Sequence, residues 1–177
     1  MRTAKVFSAQ IALAVARRLV SELEAACERI EIAGSLRRMN HAVHDIDFVL
    51  VPKDAPEEFS LGGPRVLNGV ISQLVSRGNL TPVRGKEKIK VFVASKTGIP
   101  VDIYIAGPET WATLLLIRTG SKAHNIKLAQ RARELGMKLR ASGDGIENGN
   151  GDLLRVDAEE DIFRLLELPY LRPEERT

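Results

Sequence analysis

Along this chain, stretches with apolar residues one helical turn apart interleave with stretches in which every second residue is apolar. Ser8 is a helix cap, and Ile11, Val15, Leu19 and Leu23 then recur as one stripe that predicts a helix to about Glu28. Residues 29–33 alternate as a short strand that ends at the Gly34-Ser35 turn, and residues 45–51 form a second strand, stopped by Pro52. Pro64 opens a helix with Leu67, Val70, Ile71 and Leu74 facing inward, and Gly78 closes it. Three more strand signals lie at 80–83, 89–94 and 101–105, with Lys96-Thr97-Gly98 turning between the last two. Pro108 begins a helix containing Trp111, Leu114, Leu115 and Leu116. After Thr119-Gly120-Ser121 another helix runs to about Leu135 and ends at Gly136. Residues 141–151, rich in Gly, Asn and Asp, predict hairpin turns; Asp157 caps a last short helix through Leu166. The order is an α+β fold: a mixed sheet with flanking helices at 1–107, then a smaller lobe at 108–177, divided near Pro108.

Composition alters this picture little. A chain of 177 residues, 44% hydrophobic and 28% charged, can bury a real core in the manner of an ordinary soluble protein. Its net charge of +3 is compatible with polyanion partners without being diagnostic of them. Cys27 is the only cysteine, which rules out an intrachain disulfide and a thiolate metal cluster; it falls in the first helical pattern as a small core residue. The apolar stretch near the N-terminus is broken by Ser8, Gln10, Arg17 and Arg18 and fits neither a signal peptide nor a membrane span. The expectation is a cytoplasmic monomer with no membrane partner.

The chemistry concentrates in two places. Gly34-Ser35-Leu36-Arg37-Arg38 joins a small-residue turn to two cations, and Asp45-Ile46-Asp47 follows inside an apolar run. Strand residues two apart share a face, so Asp45 and Asp47 project together while Ile46 and Phe48 face the core. Two adjacent carboxylates repel, and a divalent cation resolves the repulsion. All-oxygen ligands, without a cysteine or paired-histidine pattern, favour magnesium over zinc. Asp102, in Val101-Asp102-Ile103, brings a third carboxylate on another apolar strand. Three such acids suit a two-metal site in which Asp45 and Asp47 bridge both ions and Asp102 binds the one that activates the nucleophile. Ser35 and the amides of the turn can cradle phosphate oxygens, and Arg38 can neutralise charge on a leaving group. His41 and His44, between turn and acids, are left out of the site.

The turn and the carboxylate strand resemble the polymerase β-type nucleotidyltransferase superfamily. Thr119-Gly120-Ser121 with Asn125 and Gly136 resembles the start of the thumb of the family X DNA polymerases, and Asp161 to Leu166, Pro169-Tyr170 and Pro173 to Arg176 resemble its end. The resemblance covers nearly the whole chain and implies a polymerase β-like palm at 1–107 and a small α/β thumb at 108–177. By position it implies nucleotide binding by Gly34, Ser35, Arg38, Gly120, Ser121 and Asn125, and two magnesium ions, replaceable by manganese, on Asp45, Asp47 and Asp102. It implies a DNA-backbone contact for Lys88 and, with less specificity, a triphosphate contact for Lys5.

The departures from the family pattern are informative. Ile117-Arg118 stands where the family commonly has two aromatics, which makes Arg118 a further phosphate contact. Pro100 replaces an Arg before the third acid. Ala129 and Lys122 replace an Arg and an Asp of the thumb, leaving Lys127 and Arg131 to meet DNA. Only seven residues precede the first helix and no histidine-rich phosphoesterase pattern follows the thumb, so the expectation is palm and thumb without lyase or exonuclease activity. The implied function is addition of nucleotides from (d)NTPs to the 3′-OH of a DNA primer-template or gap, with release of pyrophosphate, in repair. The alternatives are a stand-alone nucleotidyltransferase acting on RNA ends, a protein or a small molecule, and a non-catalytic nucleic-acid-binding relative.

Overall fold

The computed structural model describes residues 5–53, 64–86 and 88–177. Its centre is a five-stranded mixed sheet in the order β2-β4-β7-β6-β5, formed by β2 (Cys27–Ile32), β4 (Ile46–Pro52), β5 (Leu80–Lys86), β6 (Ile89–Ala94) and β7 (Ile99–Ile105). Only β4 and β7 run parallel; the other pairs are antiparallel. Two helices, α1 (Ala9–Leu23) and α3 (Arg65–Ser76), contribute to one apolar cluster against this sheet, and α4 (Trp111–Thr119), α5 (Lys122–Glu134) and α6 (Glu159–Leu165) contribute to another.

The central strands are apolar on both faces because both faces are covered. Ile46, Phe48 and Leu50 enter the α1/α3 cluster, while Val49 and Val51 of the same strand enter the α4/α5/α6 cluster. In β7, Val101, Ile103 and Ile105 join the first cluster and Tyr104 packs against the second. By this alternation Asp47 and Asp102 share the sheet face of Val49 and Tyr104, which looks toward the C-terminal lobe.

Three sequence expectations are corrected. The first helix stops at Leu23, because Glu24–Ala26 tighten into a 3₁₀ turn and Cys27 opens β2. Cys27 is nonetheless buried, and burial pushes its thiol up to about 11, so it is an inert core residue. The buried stripe of α1 is Ala12, Ala16, Leu19 and Leu23; Ile11 is exposed and Val15 only partly buried. The short alanine side chains let α1 lie close to its neighbours. The cap of α6 is Ala158 rather than Asp157, and the Asp161 carboxylate accepts hydrogen bonds from the backbone N–H of Asp157 and Ala158 at 3.1 and 3.0 Å.

Other elements agree closely. The turn at Gly34-Ser35 is a single helical turn, α2 (Gly34–Arg37). The Gly-, Asn- and Asp-rich stretch joins the short antiparallel strands β8 (Lys138–Leu139), β9 (Ile146–Glu147) and β10 (Leu153–Leu154). A two-residue ladder between β1 (Phe7–Ser8) and β3 (Ala42–Val43) had no sequence signal, since two residues carry no period. Among the described residues no helix is long and apolar enough to cross a membrane.

Candidate active site

In the parallel β4–β7 register, Asp47 stands opposite Asp102. Asp45 lies two residues before Asp47, at the head of β4. Burial pushes the Asp47 carboxyl up to about 7, with Asp45 and Asp102 adding to the shift while Arg118 and Arg38 oppose it. Asp102 is also raised by burial, against a hydrogen bond from the Tyr104 hydroxyl at 3.3 Å. The three acids therefore sit close enough to repel one another in a partly desolvated place.

Gly34 is what lets the α2 turn approach them. It has φ +60°, and a β-carbon there would collide with Oδ2 of Asp47. The Ala33 amide donates to the Asp47 carbonyl at 2.8 Å, which fixes the turn against the strand.

Opposite lies the bend between α4 and α5. Arg38 donates through Nη1 to the Thr119 carbonyl, and Asn125 donates to the Ile117 carbonyl at 2.8 Å. Gly120 has φ +70°, the Gly120–Ser121 peptide is cis, and the Ser121 hydroxyl accepts from the His124 amide at 3.2 Å as the cap of α5. Buried Asn125 Oδ1 has no hydrogen-bond partner among the described residues. Between turn and bend lies a cleft of about 590 Å³ whose lining includes Gly34, Ser35, Arg38, Asp45, Asp47, Arg118, Gly120 and Asn125.

Eight residues singled out from sequence thus share one cleft, and β-sheet register adds Asp102 beside it. Ser121, Lys88, Lys127 and Arg131 are not in its lining. Lys88 pairs with Asp144 at 3.0 Å. Lys127 is exposed, whereas Arg131 donates to the Leu166 carbonyl and to Glu134 and Glu167.

Sequence reasoning gave no role here to Glu159, Tyr104 or Arg84, and did not foresee that Arg37, one of the turn's two cations, and Arg176, in the thumb-like tail, meet at one acid. Arg37, Glu159 and Arg176 form a largely buried ion cluster, Tyr104 bonds Asp102, and the charge of Arg84 lowers the pKa of Asp102. Glu159 and Arg176 are distant in sequence from the turn they support, so no spacing could signal them. His44 also lines the cleft.

A preformed metal centre is not what the geometry offers. Among the described residues no group of three or more His, Cys, Asp and Glu side chains converges where it could hold an ion. The donor chemistry still fits a hard divalent cation: all-oxygen ligands, and a carboxylate held near pKa 7 by burial and by like charges.

Fold and site together define an α+β protein with a palm-like sheet, flanking helices and a thumb-like C-terminal region. The family model "DNA polymerase beta thumb" matches residues 114–177. The chain is 31% identical over 170 residues to the DNA polymerase/3'-5' exonuclease PolX of Bacillus subtilis (strain 168), covering 93% of this chain and 27% of that protein. It is 26% identical over 163 residues to DNA polymerase lambda of Rattus norvegicus, covering 81% of this chain and 28% of that one. Over most of its length the chain is homologous to family X-like DNA polymerases, and it spans little more than a quarter of the length of either relative.

Proposed function

We propose that this chain is a metal-dependent nucleotidyltransferase that extends the 3′-OH of DNA from nucleoside triphosphates, with a palm at 1–107 and a thumb at 108–177. One observation carries the reading: Asp47 and Asp102 stand side by side on the parallel pair β4–β7, with Asp45 just ahead and the Gly34 turn pressed against Asp47. Kinship with polymerases from two organisms supports the same chemistry.

Magnesium held by Asp45, Asp47 and Asp102 would supply Lewis-acid activation of the attacking hydroxyl and neutralise charge on the triphosphate. Ser35 and the amides of the turn bind phosphate oxygens, and Arg38 opposes the charge that gathers on the departing pyrophosphate. The Asn125 carboxamide, its Oδ1 without a hydrogen-bond partner among the described residues, faces the nucleotide. In the reaction a bond forms between O3′ and the α-phosphorus while the α-phosphorus to β-bridging oxygen bond breaks. The hydroxyl proton passes to Asp102, and pyrophosphate leaves. Placement and charge stabilisation supply the rate.

Primer extension on gapped, primed and single-stranded DNA, with each dNTP and rNTP in turn and magnesium present, tests this. The expected result is incorporation that is lost in D102A while circular dichroism shows an unchanged fold. Full incorporation by D102A overturns the mechanism. Transfer to RNA or protein but not to DNA would favour an enzyme with another acceptor.

A further inference from the structure

Among the described residues, two ion pairs join residues 1–107 to residues 108–177, and they are built differently. Arg37 and Glu159 meet through two prongs and are largely buried, their side chains 19% and 6% exposed. Lys88 and Asp144 meet through one contact of 3.0 Å, their side chains 53% and 36% exposed. A single-point pair in water adds little stability and yields to a competing anion at small cost.

Both partners of the exposed pair are nonetheless held in place. Lys88 lies in the turn between β5 and β6, and its carbonyl accepts from the Ile105 amide at 2.9 Å. Asp144 lies in the β8–β9 turn between two glycines that press on neighbouring elements. A β-carbon at Gly143, φ +90°, would lie 2.5 Å from Leu114 Cδ1, and one at Gly145, φ +130°, 2.8 Å from Leu153 Cδ2. The Ser142 carbonyl accepts from Arg118 at 3.2 Å, and the Arg140 amide donates to the Gly145 carbonyl at 3.0 Å. The turn thus presents the Asp144 carboxylate to Lys88 from a fixed backbone. Hydrogen bonds from Lys88 and Ser142 hold that carboxyl below the usual carboxylate range.

The hairpin that carries Lys88 is cationic. Residues 84–90 contain Arg84, Lys86, Lys88 and Lys90 against one acid, Glu87. Arg84 and Lys86 are exposed on β5, the open edge of the sheet. Arg84 pairs with Val91 and Val91 with Asp102, while Lys86 pairs with Ile89 and Ile89 with Tyr104. Cross-strand partners share a face, so the hairpin continues the face of Asp102 out to that edge.

We propose that the β5–β6 hairpin is a docking surface for the backbone of the DNA, and that Asp144 is an internal stand-in for one phosphate, holding Lys88 until DNA displaces it. The proposal rests on the DNA reading given above. A backbone phosphate offers Lys88 the same negative charge and oxygen acceptors as the carboxylate. Entry of DNA therefore exchanges one anion for another at Lys88, returns Asp144 to water and is driven by release of counterions from the DNA. The buried Arg37–Glu159 pair keeps the two parts of the chain joined at α2 while the contact at the hairpin is given up.

Fluorescence anisotropy with labelled gapped DNA, at salt from about 50 to 200 mM, compares wild type, D144N, K88Q and K88Q/D144N, with thermal melts confirming that each folds. D144N should bind roughly threefold tighter than wild type with an unchanged salt slope. K88Q should bind more weakly and lose about one unit of that slope. In the K88Q background D144N should gain less than about 1.5-fold, because the cation it would release is gone. The same gain in both backgrounds means that Asp144 only repels DNA from a distance, and overturns the stand-in role. K88Q with wild-type affinity and slope takes the hairpin out of the interface and overturns the proposal as well. In both of these outcomes wild type binds DNA and the DNA reading stands. No salt-dependent DNA binding by wild type or any variant overturns both readings.

Discussion

Arg37 and Glu159 meet as a two-pronged ion pair: Nη1 donates to Oε1 at 2.9 Å and Nη2 to Oε2 at 2.7 Å. The pair joins the α2 turn to the first turn of α6. Arg176, whose side chain is fully buried, donates to Glu159 Oε1 at 2.7 Å from the other side, and also to the Leu171 carbonyl. Burial alone would raise the Glu159 carboxyl, yet the two arginines hold it below the usual range. Arg37 also donates to the Thr119 hydroxyl at 2.8 Å, so one residue ties the turn to α6 and to the α4–α5 bend. Adjacent Arg38 is left to face the cleft.

Removing one member of a buried triad leaves uncompensated charge, which costs about 3–5 kcal/mol, whereas replacing the whole triad with apolar groups is often near neutral. E159L should therefore destabilise the chain by about that amount. The triple variant R37M/E159L/R176M should lose less than E159L alone. Urea unfolding followed by circular dichroism decides it, and a triple variant weaker than the single would show that hydrogen bonds to Thr119 and Leu171 dominate.

Gly34→Ala combines two penalties, the left-handed backbone and the collision with Asp47. Gly78 provides a control, since its φ is +67° but a β-carbon there meets nothing within 4 Å. G78A should cost about 1 kcal/mol, the backbone strain alone. G34A should cost more, and its excess over G78A reports the contact. Equal losses in paired thermal melts would mean that the turn and Asp47 move apart freely.

These relationships show what could be seen beforehand. The strands were legible from alternation, and the chemistry of the turn and of the Asp-x-Asp from residue types, because both are local. Asp102 beside Asp47 depends on which strands pair and in what register, which the local pattern does not encode; only the shared apolar setting hinted at it. The reach of Glu159 and Arg176 across more than a hundred residues to Arg37 had no local trace. Ile11 and Val15 misled for a related reason: helical spacing finds a stripe, but close packing selected the alanines next to it.

His124 gives a pH dependence with a definite sign. It is 4% exposed, stacks at a tilt on Phe163 with ring centres 5.7 Å apart, and neither ring nitrogen has a partner among the described residues. Burial lowers its pKa to about 4, with Arg176 and Lys127 adding and Glu159 opposing. The unfolded chain, near 6.5, then binds more protons than the folded one between about pH 6.5 and 4, so stability rises with pH across that window. Its contribution is fully present above 6.5 and is lost as pH falls through it, by at most about 3 kcal/mol. H124F should flatten this part of the profile, measured by urea unfolding at half-unit steps from pH 7 to 4. An unchanged slope would assign the acid sensitivity to other groups.

Lys127 and Arg131 lie one turn apart on α5 but should behave differently toward DNA. Lys127 is exposed, and no hydrogen bond or ion pair of its side chain is seen among the described residues, whereas the Arg131 guanidinium is spent on Leu166, Glu134 and Glu167. An exposed lysine that meets a phosphate adds about one unit to the slope of log affinity against log salt, and its loss weakens binding equally for all sequences. K127A should lower that slope by about one unit in fluorescence anisotropy with labelled gapped DNA, without changing the melting temperature. R131A should do the reverse, leaving the slope in place and lowering stability by roughly 1 kcal/mol through the lost bond to the Leu166 carbonyl. If K127A leaves the salt slope intact and R131A reduces it, the DNA runs along the Arg131 side of α5 and displaces the pairing with Glu167.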